Sequence, residues 1–417
     1  MNALITSAKI IDDSSKHHNK TVCIRIKNGI IDEIAATLEP IKDEKVISFE
    51  NLSVSQGWFD SSVSMGEPGF EERETIKNGL QVAAKSGFTG IALNANTDPI
   101  IDTNSGISYL KNRAQAHAID LFPIGALTRK SEGIDLAELY DMHQAGAIAF
   151  SDYQKSVQHP NLLKLALQYT QGFDGLVMSF PQEKDLVGKG IVNEGIVSTN
   201  LGLKGIPVLA ETLQISRDLH ILEYTGGKLH IPTISSAQSV ELIKNAKEKG
   251  LNVTCSVAIA NLFFTDEMLS EFDTHFKMTP PLRNEADREA LIAGVKDGTI
   301  DMVCSDHNPL DIEKKKIEFD YAYNGTLAQE AIYGALITLV SESKAIKLLT
   351  NGRKRFTQAL APIESGNEAN LTLFSAKGSY VFTEKDILSK SKNAAFLGQK
   401  LKGRVYGILA NNQFIES

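Results

Sequence analysis

The chain has 417 residues and a net charge of −8, and both values limit what it can be. With 42% hydrophobic residues, it is long enough for one large core and a second, smaller domain. The acidic balance, without a block rich in lysine and arginine, excludes nucleic acid as an expected partner. No apolar run approaches the roughly 18 residues that span a bilayer, so no membrane is expected either. The three widely spaced cysteines do not form a disulfide framework, and we expect a cytoplasmic protein.

Short strands are predicted at both ends of the chain. Residues 1–52 contain β-branched runs between polar breaks, such as Thr21–Ile26 and Gly29–Ile34. Residues 363–417 contain similar runs at Asn370–Phe374 and Gly403–Leu409. Because these two β-rich ends flank one long central region, we expect them to meet in a single small β-domain.

The central region, residues 53–362, alternates between apolar strand-like runs and amphipathic helical segments. Phe88–Leu93 and Met302–Cys304 are two of the strand-like runs, and Glu74–Ser86 and Gln238–Lys249 are two of the helical segments. This alternation is typical of parallel β/α units. We predict an α/β fold with a closed (β/α)8 barrel of the TIM type, in preference to an open sheet. Reactive groups in such barrels follow the carboxyl ends of the strands.

The segment Asp60–Gly69 carries the most informative motif. Its sequence, Asp-Ser-Ser-Val-Ser-Met-Gly-Glu-Pro-Gly, resembles the first metal-binding strand of the dihydroorotases, which reads Asp-x-His-x-His-x-Arg-Glu-Pro-Gly. Further fragments that are similar to the family follow in its order: Asn96–Pro99, Gly146–Asp152, Asn193–Gly195, Lys277–Arg283, Asp297–Asp301 and Ser305–Pro309. Since they cover nearly the whole chain, the sequence resembles the bacterial-type (class I) dihydroorotases of the amidohydrolase superfamily.

The resemblance implies a metal site whose ligands are replaced in this chain. Active relatives use two zinc ions to activate a water, and a terminal aspartate carries the proton. The four ligand histidines of the family correspond here to Ser62, Ser64, Ser179 and Thr233, the bridging aspartate to Asp152 and the terminal aspartate to Asp306. Neutral imidazole is a good zinc ligand, whereas a serine hydroxyl is a weak donor. The resemblance therefore predicts no cofactor, vestigial ligand positions and a vestigial catalytic Asp306.

The substrate-binding positions of the family are altered as well. The arginine that would hold the substrate carboxylate corresponds to Gly66, and the asparagine before Pro-Pro-Leu-Arg corresponds to Thr279. The last histidine of the Asp-His-Ala-Pro-His run corresponds to Leu310, and only Asn96 is retained. The resemblance thus implies a pocket that has lost both its metal and most of its substrate contacts.

Two further features lie in and after the last strand motif. His307 is expected to fix the loop after that strand by hydrogen bonding, in preference to binding zinc. Lys314–Lys316 is expected to be a solvated face of the same loop, with contact to an anion or a partner as the alternative.

Three functions remain open at this point. The first is a catalytically inactive dihydroorotase homologue of pyrimidine biosynthesis that acts as a structural partner of aspartate carbamoyltransferase, as the resemblance implies. The second is an active cyclic amidohydrolase with an atypical metal site or none, and the third is a sensor that binds a small ligand in the emptied pocket. The first is our prediction, and we expect the chain to form a homo-oligomer.

Overall fold

The computed structural model describes residues 1–417, and the first five strands lie in one sheet. They are β1 (Ala3–Ile10), β2 (Thr21–Lys27), β3 (Ile30–Ala35), β4 (Lys45–Ile47) and β5 (Ser53–Gln56). β1, β2 and β3 pair antiparallel, whereas β4 and β5 run parallel to β1. The small sheet therefore extends to Gln56, beyond the predicted boundary at residue 52.

The next ten strands build the central body. They are β6 (Trp58–Val63), β7 (Phe88–Leu93), β8 (Asp120–Gly125), β9 (Ala149–Phe150), β10 (Leu176–Met178), β11 (Val192–Asn193), β12 (Gly205–Ile206), β13 (Lys228–Ile231), β14 (Val253–Ala258) and β15 (Met302–Cys304). Eight of them form a parallel sheet in the order β6, β7, β8, β9, β10, β13, β14 and β15. The Ser64 amide donates to the carbonyl of His307 over 2.7 Å, which joins the two outer strands and closes the barrel.

Helices follow most of the barrel strands. They are α1 (Ile76–Lys85), α2 (Asn104–Arg113), α3 (Leu139–Ala145), α4 (Pro160–Thr170), α5 (Lys184–Val187), α6 (Ile196–Leu201), α7 (Val208–Thr225), α8 (Ala237–Glu248), α9 (Ile259–Phe263), α10 (Glu285–Asp297), α11 (Ile332–Leu339) and α12 (Glu342–Phe356). In α1 the Thr75 hydroxyl accepts from the Asn78 amide and so caps the first turn. Ile76, Leu80 and Ala83 recur at helical spacing and are buried, because this face packs on the sheet.

The C-terminal strands complete the small sheet. They are β16 (Leu371–Val381), β17 (Lys400–Ala410) and β18 (Gln413–Glu416), and β16 pairs antiparallel with both β5 and β17. Residues from both ends of the chain, including Ile5, Ile24 and Leu373, share one buried cluster in this domain. The predicted barrel and the predicted β-domain built from both termini are thus confirmed.

The barrel interior is filled with side chains and is not a pore. Eight buried residues form one cluster inside it: Phe59, Ala92, Ile124, Ala149, Leu176, Met178, Met302 and Phe356. Phe356 ends α12, and one turn earlier Arg353 donates to Asp120 over 2.6 Å. This packing leaves polar side chains at the opposite, carboxyl end of the strands, where the predicted site residues lie. No helix is both long and apolar enough to cross a membrane.

The expectation of a solvated Lys314–Lys316 face is wrong for its central residue. Lys315 is 2% exposed, and its ammonium group donates to the backbone carbonyls of Thr274, Lys277 and Tyr323 over 2.7, 3.1 and 2.9 Å. An ammonium group carries three N–H donors, so three carbonyls satisfy it completely. Lys315 therefore ties the loop after β15 to the segment before the Pro280-Pro281 turn.

Replacement of Lys315 by methionine should lower the free energy of unfolding by about 1–3 kcal/mol, because three carbonyls, that of Lys277 buried and those of Thr274 and Tyr323 partly buried, lose their donor. Methionine retains most of the apolar stem, so the loss reports the hydrogen bonds rather than a cavity. The exposed neighbour Lys316 offers a matched control, and Lys316→Met should change stability by less than about 0.5 kcal/mol. Denaturant unfolding of both variants measures the difference, and equal effects would contradict the assigned role of Lys315.

Candidate functional site

Asp306 follows β15 at the mouth of the barrel and is the centre of a hydrogen-bonded group. The Ser62 hydroxyl, from the end of β6, donates to its carboxylate over 2.8 Å. The Tyr153 hydroxyl, three residues after β9, donates to the same oxygen over 3.1 Å. Because parallel strands of a barrel end at one face, residues far apart in sequence meet here.

Two amide side chains extend this group. Asn94, directly after β7, donates to the hydroxyls of Ser62 and Ser64 over 3.2 Å each. Gln154 donates to the Tyr153 hydroxyl over 2.9 Å and lies 3.5 Å from the second oxygen of Asp306. We refer to Ser62, Ser64, Asn94, Tyr153, Gln154 and Asp306 as the mouth cluster.

Burial governs the protonation of the cluster. It raises the pKa of Asp306 to about 6, and the hydrogen bonds from Ser62, Tyr153 and Gln154 oppose that rise. Burial, with the nearby charge of Asp306, also holds the pKa of Tyr153 well above its usual value. At neutral pH the Tyr153 hydroxyl is therefore a neutral donor to a carboxylate that is mostly ionised.

The predicted metal-ligand positions do not all reach this centre. Ser62, Ser64 and Asp306 do, but the Asp152 carboxylate turns away and accepts from the amide and the hydroxyl of Thr128. Tyr153 and Gln154, rather than Asp152, are the residues of this loop that face Asp306.

The remaining two predicted ligand positions also lie outside the cluster. The Ser179 hydroxyl donates to Asp218 of α7 over 2.6 Å. Thr233 has a left-handed backbone, with φ of 48°, and its amide donates to the Ser256 hydroxyl. No group of three or more His, Cys, Asp or Glu side chains is arranged to hold a metal ion.

The predicted substrate positions are closely packed. A Cβ atom added to Gly66 would lie 1.7 Å from the carbonyl oxygen of Phe70, so this backbone excludes any side chain there. Leu310 and Thr279 are buried, at 3% and 8% exposure. Asn96 keeps a buried side-chain oxygen that has no hydrogen-bond partner. Asn96 therefore still offers an unused polar atom.

His307 serves the fold, in line with its predicted hydrogen-bonding role. Its Nδ1 atom accepts from the Gln329 amide over 3.3 Å, so the neutral ring carries its hydrogen on Nε2, which faces the Ser389 hydroxyl at 3.4 Å. Ser389 in turn donates to Glu330 over 2.6 Å. The serine hydroxyl donates to Glu330 and not to the histidine. In a catalytic triad the histidine accepts the serine proton, so these three residues are not arranged as one.

A cavity of about 660 Å³ lies beside the mouth cluster. Asp152 and Gln154 line it, together with polar side chains from the segments after β8 and β10, among them Ser131, Gln182 and Lys184. Its volume lies in the range of small-molecule sites.

The sequence analysis missed Asn94, Tyr153 and Gln154. The signal for Tyr153 and Gln154 was present, because they replace the Asp-Gly that follows the bridging aspartate in the family motif. Asn94 lies outside every motif, and only its place after β7 brings it to the cluster.

Comparison with known proteins places these features in context. Residues 53–239 match a family model described as dihydro-orotase-like. A dihydroorotase of Acetivibrio thermocellus is 37% identical over 420 residues, which cover 99% of this chain and 98% of that protein. A dihydroorotase of Geotalea daltonii is 36% identical, covering 97% of this chain and 96% of that protein.

Among solved structures, an L-hydantoinase (dihydropyrimidinase) from Arthrobacter aurescens superposes with a TM-score of 0.86 at 19% identity. The match covers 100% of this chain and 96% of the other. A D-hydantoinase crystal structure gives a TM-score of 0.82 at 21% identity, over 100% and 95% of the two chains. Similarity at such low sequence identity shows the fold alone, which is a barrel with a separate β-domain.

Asp306 should make stability depend on pH between about 4 and 6. The pKa of Asp306 is about 6 in the folded state and near 3.9 in the unfolded state. Its contribution to the free energy of unfolding is therefore fully present below pH 4 and is lost as the pH rises through 6. The difference in unfolding free energy between wild type and Asp306→Asn should fall across this window by on the order of 2 kcal/mol. Denaturant melts at several pH values measure it. The exposed Asp141 provides the control variant Asp141→Asn, and a flat difference for both variants would contradict the prediction.

Proposed function

Because the chain belongs to the dihydroorotase family, we propose that it is a catalytically inactive member that serves as a structural partner of aspartate carbamoyltransferase in pyrimidine biosynthesis. The observation that carries the loss of catalysis is the mouth cluster. Its polar groups bond one another at the place where the family resemblance puts the metal ions.

The residues present do not fit a zinc centre. Zinc sites are built from imidazole, thiolate and carboxylate ligands, and a catalytic site keeps three of them on each ion. The mouth cluster offers one carboxylate, and both of its oxygens are occupied by donors from Ser62, Tyr153 and Gln154. A metal ion would have to displace these hydrogen bonds in exchange for neutral hydroxyl and amide oxygens, which bind zinc weakly.

The position that corresponds to the substrate-binding arginine of the family supports the same proposal. A clamp for a substrate carboxylate needs a cation, and the position that the resemblance assigns to arginine is Gly66. The Phe70 carbonyl lies where a side chain would begin, so the turn has closed over this position. Both the activated water and the orientation of a substrate are therefore missing from the expected place.

A metal-free hydrolase is less well supported. The Ser62 hydroxyl does donate to Asp306 over 2.8 Å, which is the distance between a nucleophile and a base. A carboxylate with a pKa of about 6 is, however, a weak base for a serine hydroxyl. The Asn94 amide donates to the same Ser62 oxygen, and this hydrogen bond makes that oxygen less nucleophilic.

We propose the partner by analogy with the family. This analogy rests on the shared fold and not on a feature of the site. The barrel frame and the β-domain are retained in full, while the residues that would do chemistry are changed. A scaffold needs only the outer surface of such a frame, so this pattern of retention and loss favours a structural role.

A ligand sensor is the second candidate. The cavity of about 660 Å³ beside the mouth cluster favours it, because Gln154 contacts both the cavity and Asp306. A ligand bound there would act on the cluster through Gln154.

Protein purified without chelator after expression in zinc-supplemented medium should contain no stoichiometric zinc, because one carboxylate cannot hold the ion. Elemental analysis of the gel-filtered protein measures the metal content. One or two equivalents of zinc that disappear in Asp306→Asn would contradict the proposal and point to a metal site at the mouth.

Dihydroorotate should neither form nor open above the background rate. Loss of substrate orientation alone can cost about 7 kcal/mol or more of activation free energy, and loss of the metal removes the stabilisation of the oxyanion as well. The assay uses high enzyme concentration and both reaction directions. Turnover that survives repurification and is abolished by Asp306→Asn would refute the inactive assignment.

Purified aspartate carbamoyltransferase from the same source should co-elute with the chain in size-exclusion chromatography at micromolar concentration. An assembly that persists under these conditions buries at least about 1,000 Å². The Asp306→Asn variant is the control and should co-elute like the wild type, since the mouth cluster lies inside the barrel mouth. Independent migration of the two wild-type proteins would eliminate the scaffold role.

A further inference from the structure

A cavity of about 230 Å³ lies where the barrel meets the β-domain, and none of its residues belongs to the mouth cluster. The end of α1 and the first turn of α11 form one side of it, with Lys85, Ser86 and Tyr333. β16 and β17 form the other side, with Tyr380 and Arg404. Because each domain supplies one side, a ligand in this cavity contacts both domains. We refer to it as the junction cavity.

Three cations line the junction cavity, and no ion pair within the chain neutralises them. They are Lys85, Lys385, which belongs to the segment between β16 and β17, and Arg404. In a chain with a net charge of −8, this arrangement concentrates positive charge at one place. An anion bound there reduces the repulsion among the three cations.

Two carboxylates also line the junction cavity, but each already accepts hydrogen bonds from a serine or threonine outside its lining. Glu330 accepts from the amide and the hydroxyl of Ser389 over 3.1 and 2.6 Å. Asp386 accepts from the amide and the hydroxyl of Thr383 over 2.7 and 2.8 Å. The cations outnumber the carboxylates, and the carboxylates have donors of their own, so the cavity favours an anion.

Buried hydroxyls on the barrel side of the cavity are left without partners. Ser86 and Tyr333 are 5% and 3% exposed, and neither hydroxyl has a hydrogen-bond partner in the protein. A buried polar group without a partner costs free energy. The serine side chain rotates about a single bond, so Ser86 can turn its hydroxyl towards an acceptor in the cavity that it lines.

A tyrosine on the β-domain side supplies another hydroxyl. A Cβ atom added to Gly334 of α11 would lie 3.0 Å from the hydroxyl oxygen of Tyr380, so glycine leaves room for this hydroxyl beside the helix. Burial raises the pKa of Tyr380 to about 12, and Asp386 raises it further while Arg404 opposes the rise. The hydroxyl therefore stays protonated at neutral pH and is able to donate.

We propose that the junction cavity binds a phosphate group. A phosphate has acceptor oxygens on all sides, so it accepts from three cations and neighbouring hydroxyls at the same time. A carboxylate has only two oxygens at one end and cannot satisfy donors that surround it. The volume is below that of sites for drug-sized ligands, so the cavity fits free phosphate or the phosphate end of a larger molecule.

A phosphate in this place would join the barrel to the β-domain. Lys85 comes from the barrel and Arg404 from the β-domain, so one anion bonded to both links them without a covalent bond. A ligand that binds only the folded state also stabilises it in proportion to the logarithm of its concentration. This inference does not rest on the proposed scaffold role, because the cavity lies apart from the mouth cluster.

The test is calorimetric titration of the full-length protein with inorganic phosphate. Saturable binding of one phosphate per chain is expected, with a dissociation constant in the millimolar range or below. Potassium chloride and potassium acetate at the same ionic strength should give no saturable binding. Glycerol 3-phosphate separates the two sources of the group: tighter binding than that of phosphate assigns the cavity to an organic phosphate, and weaker binding assigns it to the free ion.

Variants locate the phosphate in the cavity. Lys85→Gln and Arg404→Gln should each raise the phosphate dissociation constant at least ~10-fold, as expected for loss of a charge-assisted hydrogen bond. Lys249, exposed after α8, provides the matched control Lys249→Gln, which should change the constant less than ~2-fold because distant surface charges are screened. Ser86→Ala should weaken binding without lowering the stability of the phosphate-free protein, because it removes a hydroxyl that has no partner.

Three results would each overturn the proposal. The first is the absence of saturable phosphate binding to the wild type. The second is binding of acetate as tight as that of phosphate. The third is an unchanged dissociation constant in folded Lys85→Gln and Arg404→Gln. Thermal unfolding in phosphate gives a second readout, since the rise in Tm of the wild type should be lost in Arg404→Gln and kept in Lys249→Gln.

Discussion

The mouth of the barrel is organised around one partly buried carboxylate. Asp306 lies at the end of the last strand, where the fold removes most of it from water, and an ion in such a place has to receive hydrogen bonds. Ser62 supplies one from the neighbouring strand β6, and Tyr153 and Gln154 supply the others from the loop after β9, across the barrel mouth. Asn94 in turn donates to the hydroxyls of Ser62 and Ser64. The geometry of the site therefore follows from the solvation of a single charge by the protein.

The fold could be predicted because its signals are local and repeated. Apolar runs of strand length alternate with amphipathic helices in the central region, and each run is buried on both sides in the barrel. Lys315 shows that local sequence signals do not predict burial by a distant segment. Three consecutive lysines are indistinguishable in sequence, and the central one is buried only because the carbonyls of Thr274 and Lys277 approach it from a distant segment.

The site was predicted only in part, because motifs locate residues along the chain but do not fix the direction of their side chains. The motif around Asp60–Gly69 located Ser62 and Ser64, and the last-strand motif located Asp306. The choice between Asp152 and Tyr153 depended on side-chain direction in a turn where Gln154 adopts a left-handed backbone, with φ of 55°. A one-residue difference in such a turn reverses which side chain faces the barrel axis, and resemblance to a motif contains no information about that reversal.

The turn at Gly66 limits which residues this position can accept. Its amide donates to the Glu74 carbonyl, and its own carbonyl accepts from the Phe70 amide. With the Phe70 carbonyl so close, the turn has room for hydrogen alone at this α-carbon. The arginine of the family motif would fit here only if the backbone of residues 66–74 moved first. A single substitution at this position would therefore disrupt the turn, so any larger residue has to arrive together with compensating changes elsewhere in residues 66–74.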